Sequence, residues 1–479
     1  MRFPSILYDD LEDRTRLEGP EQPPFFTDLN LDQVLEAITT GREEYDLAPF
    51  FYAPLHDVST VEYRQEVMRD LERPDVVEPV RGFARSLQEV RRRLAQAEGL
   101  HDDLQRQRWF LDAVGVYCGA VGSLTERLGR VDVGSRGLGA FRDYLRAYTE
   151  SERFGALAAE TEALLERLAE VRYAVHIKGN RVRVSRYEDE ADYSAEVEAT
   201  FAKFKQGGVR DRRVDFPDPA EVNHVEARVL ARVARLYPEV FGDLAAFRER
   251  HADYLDPAIG GFDREVQLYL AYLEAIEPLK ARGLAFCYPR VSRSRETAVR
   301  DGFDLALARK LTAEGATVVC NDFALTGPER AIVVTGPNQG GKTTFARMFG
   351  QLHHLAALGL PVPAREASLV LPDRLFTHFE REEDLDTLRG KLEDELVRIH
   401  EVLEEATCAS VLVMNESFTS TTLQDALFIG AEVVTRILDR DMLCVYVTFV
   451  DELASLNGAT VSVVATVAPD DPSVRTFRV

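Results

Sequence analysis

From about residue 30 to residue 170 the apolar positions recur at three- and four-residue spacing. Leu87, Val90, Leu94 and Ala97 form one stripe, with Arg91, Arg92 and Arg93 between them. Leu157, Leu164, Leu165, Leu168 and Val171 form another. A period near 3.6 puts such side chains on one helix face, so this region is expected to be a helical core. The period changes at Tyr173. Tyr173, Val175 and Ile177 alternate with Ala174 and His176, and Val182 and Val184 alternate with Arg181, Arg183 and Ser185. Lys178-Gly179-Asn180 separates the two runs, which predicts two short strands around a tight turn. Helical spacing returns over 193–204, a polar loop follows at 206–213, and long helices are expected over 222–236 and 264–284.

Beyond Cys287 the pattern changes again. Short, wholly apolar runs at 317–320, 331–334, 410–414, 443–447 and 460–464 are separated by helix-period segments. A strand that is apolar on both sides is buried on both sides, as in a sheet covered by helices on each face. A chain of 479 residues also exceeds one ordinary core. We therefore expect a mostly α-helical part over 1–285, carrying a small β-containing insert at 173–214, followed by an α/β domain over 286–479.

Composition narrows the classes. Apolar residues make up 45% and charged residues 29%, the balance of a globular protein. No apolar run approaches the roughly 20 residues of a spanning helix. Residues 1–19 lack the basic-then-apolar order of a secretory signal, so a cytoplasmic location is expected. Cys118, Cys287, Cys320, Cys408 and Cys444 are scattered, with no CxxC pair, and read as free thiols. The formal charge of -23 makes the average surface repel polyanions, so any nucleic-acid contact must be local. One local basic region exists. Arg172, Lys178, Arg181, Arg183 and Arg186 lie in or beside the expected hairpin, with no acidic residue from Tyr173 to Tyr187. Lys203, Lys205, Arg210, Arg212 and Arg213 follow, interleaved with Phe201 and Phe204. Such a cluster suits contact with a phosphate backbone.

The chemistry-bearing motif is Gly336-Pro337-Asn338-Gln339-Gly340-Gly341-Lys342-Thr343-Thr344. It follows the apolar run 331–334 and opens the helical segment 345–358, the context a phosphate loop requires. The glycines let backbone N–H groups turn inward on phosphates, and the helix N-terminus adds its positive dipole end. Lys342 is expected to reach the outer phosphates of ATP, and Thr343 Oγ to ligate Mg²⁺. The apolar run ending at Met414 leads into Asn415-Glu416. In the general pattern an Asp at the first position holds Mg²⁺ and the following Glu orients water. Glu416 is the expected catalytic carboxylate. Asn415 can accept from a metal-bound water without adding charge, so weakened Mg²⁺ affinity or turnover is expected, by about 10–100-fold.

The surroundings of the loop are more specific. Thr335-Gly336-Pro337-Asn338-Gln339-Gly340-Gly341-Lys342-Thr343-Thr344 resembles the TGPNxGGKST of the MutS mismatch-repair ATPases. Pro361-Val362-Pro363-Ala364 is similar to the VPA of that family, Asp373-Arg374-Leu375-Phe376-Thr377 to its DRIFTR strand, and Asn321-Asp322 to its asparagine segment. Asp425 falls on the acidic residue downstream of the family's Ser/Thr-rich turn. The resemblance covers about 317–456. It implies an ABC-like, MutS-type P-loop ATPase domain preceded by the helical core and lever, with 173–214 in the place of the DNA clamp. It implies dimerisation through the ATPase domains and a role in DNA repair or recombination. It also implies that the segment holding Arg389, Gly390, Lys391 and Glu395 is a signature that reaches the partner's phosphates.

Several residues depart from the family's pattern. Gly390 replaces its serine, Asn415 its Mg²⁺ aspartate, Phe449 its histidine, and Val318 its adenine-stacking aromatic. No counterpart of its N-terminal mismatch-reading and connector domains precedes the helical core in these 479 residues. Two readings follow: an ATP-hydrolysing protein that acts on DNA, or a nucleotide-gated scaffold with negligible hydrolysis. Bland readings are expected elsewhere. His353-His354 are adjacent on a helix and point apart, Arg91–Arg93 form a solvated face, and Trp109 belongs to the core.

Overall fold

The computed structural model describes residues 5–9, 21–179, 181–189, 224–381, 390–468 and 471–479. Two compact units form from non-contiguous stretches. One is drawn from Glu78–Asp132 and Arg142–Ile259, the other from Arg2–Val77, Val133–Phe141 and Gly260–Val479. These lines differ from the expected division at residue 285. The buried polar network of the second unit supplies the reason. Glu265 Oε2 accepts from Ser5 Oγ at 2.8 Å and from the Ile6 amide at 2.9 Å. Buried Arg64 donates to Leu7 O at 3.0 Å and to Leu358 O at 3.1 Å. Tyr272 donates to Pro361 O at 2.6 Å. Buried polar groups must find partners, and these find theirs across segments far apart in the chain.

In the first unit, helix Asp103–Gly129 packs on helices Glu152–Ala169 and Pro238–Arg250. Phe110, Phe247, Tyr117 and Tyr254 meet edge-on, with ring centroids 5.2–6.2 Å apart. Leu87, Val90, Ala97, Leu157 and Leu164 are buried, as their spacing predicts. Arg92 and Arg93 pair with Glu89 on the outer face of helix Pro74–Glu98. Trp109 is half-buried. Strands β1 (Tyr173–Lys178) and β2 (Arg181–Arg186) form the expected antiparallel hairpin, with Lys178 opposite Arg181. Gly179 sits at φ +60°, a left-handed conformation that glycine adopts without steric cost. The helix and loop expected over 193–213 lie outside the described residues.

The second unit holds two larger sheets and a short antiparallel strand pair, Val467–Ala468 with Asp471–Arg475. One contains β3 (Arg290–Ser292), β4 (Thr297–Gly302), β5 (Asn321–Leu325) and β7 (Glu366–Val370) in the order β3-β7-β4-β5. The other contains β6 (Ala331–Thr335), β8 (Leu375–Phe379), β9 (Val411–Asn415), β10 (Leu443–Val447) and β11 (Thr460–Val464). Its order is β11-β6-β10-β9-β8, parallel throughout. All five residues of β6, β9 and β10 are buried. Helix Lys342–Ala357 packs against β9 and β10. Helices Lys391–Glu405 and Leu423–Asp439 contribute Ile399, Leu403, Val433, Val434 and Ile437 to a core shared with Val333, Leu412, Met414 and Tyr446. Each fully buried Ile, Leu or Val stabilises by about 1.5–3 kcal/mol. The run 317–320 is not a strand. It is partly exposed and joins no ladder, and pairing begins at Asn321.

Candidate functional site

The site lies at the carboxyl ends of three adjacent parallel strands. Val447 of β10 is level with Val334 of β6 on one side and Asn415 of β9 on the other. The chain leaves β6 into Gly336, leaves β9 into Glu416 and leaves β10 into Thr448. Two amides bind these exits together: Thr448 N donates to Val334 O at 3.0 Å, and Glu416 N donates to Val447 O at 2.9 Å. Ligands of open α/β sheets bind at this end.

Gly336 has φ +115°, and a Cβ there would stand 3.0 Å from the backbone of Ala465. Gly341 is the N-cap of helix Lys342–Ala357, at φ +95° and without a side-chain cap. The first N–H groups of that helix therefore open toward the loop, ready for an anion. Lys342 is buried, and its Nζ donates to Gly336 O at 2.8 Å and to Asn338 Oδ1 at 3.4 Å. The ammonium thus lies inside the loop Gly336–Gly341. Thr343 and Thr344 are half-buried in the first turn.

Asn415 is buried, and among the described residues its Oδ1 has no hydrogen-bond partner. An orphaned amide oxygen of this kind suits a metal-bound water. Among the described residues no cluster of His, Cys, Asp and Glu could hold a metal ion by itself. The donor set therefore fits Mg²⁺ only as the companion of a nucleotide's phosphates, through Thr343 and Asn415.

The turn after β9 is unusual. Glu416 has φ +50° and Phe418 φ +63°, a region costly for non-glycine residues. Phe418 N donates to Glu395 Oε2 at 3.1 Å. His378, at the end of β8, lies 2.7 Å from Ser417 Oγ through Nδ1 and 3.1 Å from Glu395 O through Nε2. A carbonyl can only accept, so Nε2 carries the proton and Nδ1 accepts from the serine hydroxyl. Burial pushes the His378 imidazole down to about 4, which keeps it neutral. Burial likewise raises the Glu395 carboxyl above its ordinary value.

Glu395, expected in the segment that reaches a partner's phosphates, is 1% exposed in the single chain. It lies on the inner face of helix Lys391–Glu405, one turn in from the Gly390 N-cap. Gly390 itself is exposed, Lys391 donates to Glu380 Oε1 at 2.5 Å, and Arg389 lies outside the described residues. Arg186 was grouped with the DNA-facing cations. Its guanidinium donates to Leu236 O at 2.6 Å and stacks on the Tyr237 ring. The register places Lys178, Arg181 and Arg183 with His176 on the opposite face of the hairpin. Arg210, Arg212 and Arg213 lie outside the described residues.

Asp425 is a capping residue, hydrogen-bonded to Thr422 at the start of helix Leu423–Asp439. His353 and His354 bond separate carbonyls, Phe349 O and Phe51 O, and form no metal pair. Sequence reasoning missed the final segment. Arg475 Nε donates to Asn338 O at 3.2 Å, and the Asn321 side chain holds both Phe477 O and the Val479 amide. These bonds join residues more than a hundred positions apart, so no local pattern announces them.

Buried parallel strands, a glycine loop that feeds a helix N-terminus and an acidic strand exit meet at one end of this α/β sheet. The comparison with known families is specific: residues 332–470 match the model of MutS domain V. A DNA mismatch repair protein MutS from Erythrobacter litoralis is 26% identical over 483 residues, covering 89% of this chain and 52% of the relative. MutS proteins from Methanothrix thermoacetophila and Thermosynechococcus vestitus are 31% and 29% identical, over 50% and 53% of this chain and 27% and 29% of their own lengths. The chain is thus similar to MutS proteins, most specifically over residues 332–470. It spans about half, or less, of the length of these relatives.

Proposed function

We propose that the chain binds ATP with Mg²⁺ at Gly336–Thr344, hydrolyses it slowly, dimerises through its ATPase region and acts on DNA in repair or recombination. The observation that carries this reading is Lys342 seated inside a glycine loop at the end of β6, with the Glu416 exit at the end of β9 in the same sheet, across the intervening strand β10. Lys342 holds the outer phosphates, and backbone N–H groups of the loop and first helical turn cradle the rest. Glu416 orients the attacking water and receives its proton. Bound Mg²⁺ supplies charge neutralisation at the phosphates, and Thr343 and Asn415 are the residues that would hold it. Gly390 and Lys391, with Arg389, face the partner's nucleotide in the dimer. DNA contact is assigned to Lys178, Arg181 and Arg183, with Arg210, Arg212 and Arg213 beyond them. The names of the relatives, all DNA mismatch repair proteins, support the choice of DNA.

A second reading, a nucleotide-gated scaffold without turnover, is favoured by the uncharged Asn415 and by Phe449, which is 48% exposed after β10. ATP would then act only through its different affinity for separate and paired chains.

One experiment separates the two. ATP binding, turnover with Mg²⁺ and oligomeric state are measured with and without duplex and branched DNA, beside Lys342→Ala. The expected result is slow turnover that changes with DNA, and nucleotide affinity at least about tenfold weaker in the variant. Binding without turnover selects the scaffold. Absence of Lys342-dependent binding would sink both readings.

A further inference from the structure

The turn that carries Glu416 is held from outside the nucleotide loop. Its left-handed residues, Glu416 and Phe418, would relax if unsupported. One support is the Val447 carbonyl on Glu416 N. The others come from helix Lys391–Glu405 and the end of β8. Glu395 Oε2 takes the Phe418 amide, and His378 bridges Ser417 Oγ and Glu395 O. On the exposed side Glu380 Oε1 accepts from both Lys391 Nζ at 2.5 Å and Thr419 Oγ1 at 3.0 Å. The first turns of this helix and the turn 416–419 are therefore tied through a buried link and a surface link. Among the described residues Glu395 Oε1 has no hydrogen-bond partner. A buried carboxyl with an idle oxygen is costly, and an apolar side chain there would avoid that cost. Its side-chain bond to the Phe418 amide is the reason to keep it.

We propose that Glu395 is a positioning residue for Glu416: its carboxylate fixes the turn through the Phe418 amide and makes the place of Glu416 depend on the helix that begins at Gly390–Lys391. A displacement of that helix end, such as a partner chain would impose, is then transmitted to Glu416 over one buried bond. This rests on the reading that Glu416 serves hydrolysis, and it adds the residue through which that function would be gated.

The test compares Glu395→Ala with Glu395→Gln in the full chain, with Lys342→Ala as the nucleotide control. Gln keeps an oxygen for the Phe418 amide, whereas Ala removes it. Glu395→Ala is expected to lower kcat by about tenfold to a hundredfold. KM and nucleotide Kd should stay within about twofold, and Gln should restore most of the rate. Hydrogen exchange at the Phe418 amide of the nucleotide-free protein should quicken in Glu395→Ala and stay slow in Glu395→Gln. Unchanged exchange in the Ala variant overturns the proposal. So does an equal loss in both variants accompanied by weaker nucleotide binding, which marks a residue of the fold alone. If the unaltered chain has no Lys342-dependent turnover, the hydrolytic reading fails. The exchange comparison then decides by itself whether Glu395 holds the turn.

Discussion

Asn415 is where a single residue most alters the chemistry expected of this site. It keeps the shape of an aspartate and loses the charge, and among the described residues its Oδ1 is left without a hydrogen-bond partner. Asn415→Asp should therefore lower the Mg²⁺ concentration for half-maximal ATP turnover, by about 10–100-fold. A Mg²⁺ titration of the two proteins checks this, and an unmoved midpoint would remove Asn415 from the metal's surroundings. Lys342 was legible residue by residue, because its motif dictates its place. Glu395 and Arg186 were not. Each belongs to a run that looks functional, but a side chain's direction depends on helix phase and strand parity relative to neighbours that the local sequence does not name.

At the scale of elements, the hairpin has two unlike faces. Tyr173, Val175, Ile177, Val182 and Val184 occupy one, and His176, Lys178, Arg181 and Arg183 the other. A face that reads only backbone phosphate binds all sequences alike. Replacing Lys178, Arg181 and Arg183 with Ala should weaken DNA binding evenly across sequences. The slope of log affinity against log salt should also flatten, by about 0.9 for each phosphate left unneutralised. Fluorescence anisotropy at several salt concentrations measures both quantities, and an unchanged slope would release the hairpin from this role. The hairpin was readable because period-2 alternation flanks a Gly-Asn turn. The sheet of β3, β4, β5 and β7 went unread. Its strands β4 and β5 alternate buried with exposed positions, and Arg300, Asp301 and Asp322 interrupt the apolar signal.

At the scale of the whole molecule, three buried imidazoles set a pH limit. Burial pushes His353, His354 and His378 down to about 4, from an ordinary value of 6.5. Above 6.5 all three are neutral whether the chain is folded or unfolded, and stability is unaffected. As pH falls from 6.5 toward 4, the unfolded chain takes up protons that the folded chain refuses. Within that window each histidine costs about 1.4 kcal/mol of stability for every pH step of one. The melting temperature should hold above pH 6.5 and decline from there toward pH 5, and a flat profile across that range would contradict the burial of these rings.

The sequence by itself determined the helical and α/β parts, the phosphate loop, the hairpin and the family resemblance. Those depend on local periodicity and on residue types at fixed spacing, which the chain carries wherever it goes. Only the tertiary structure decided which segments complete each compact unit, which strands flank the loop, and which groups hold the Glu416 turn. Those outcomes depend on polar groups finding partners tens to hundreds of residues away. A hydrogen bond such as Glu395 to Phe418, or Glu265 to Ser5, leaves no periodic trace in either segment that makes it.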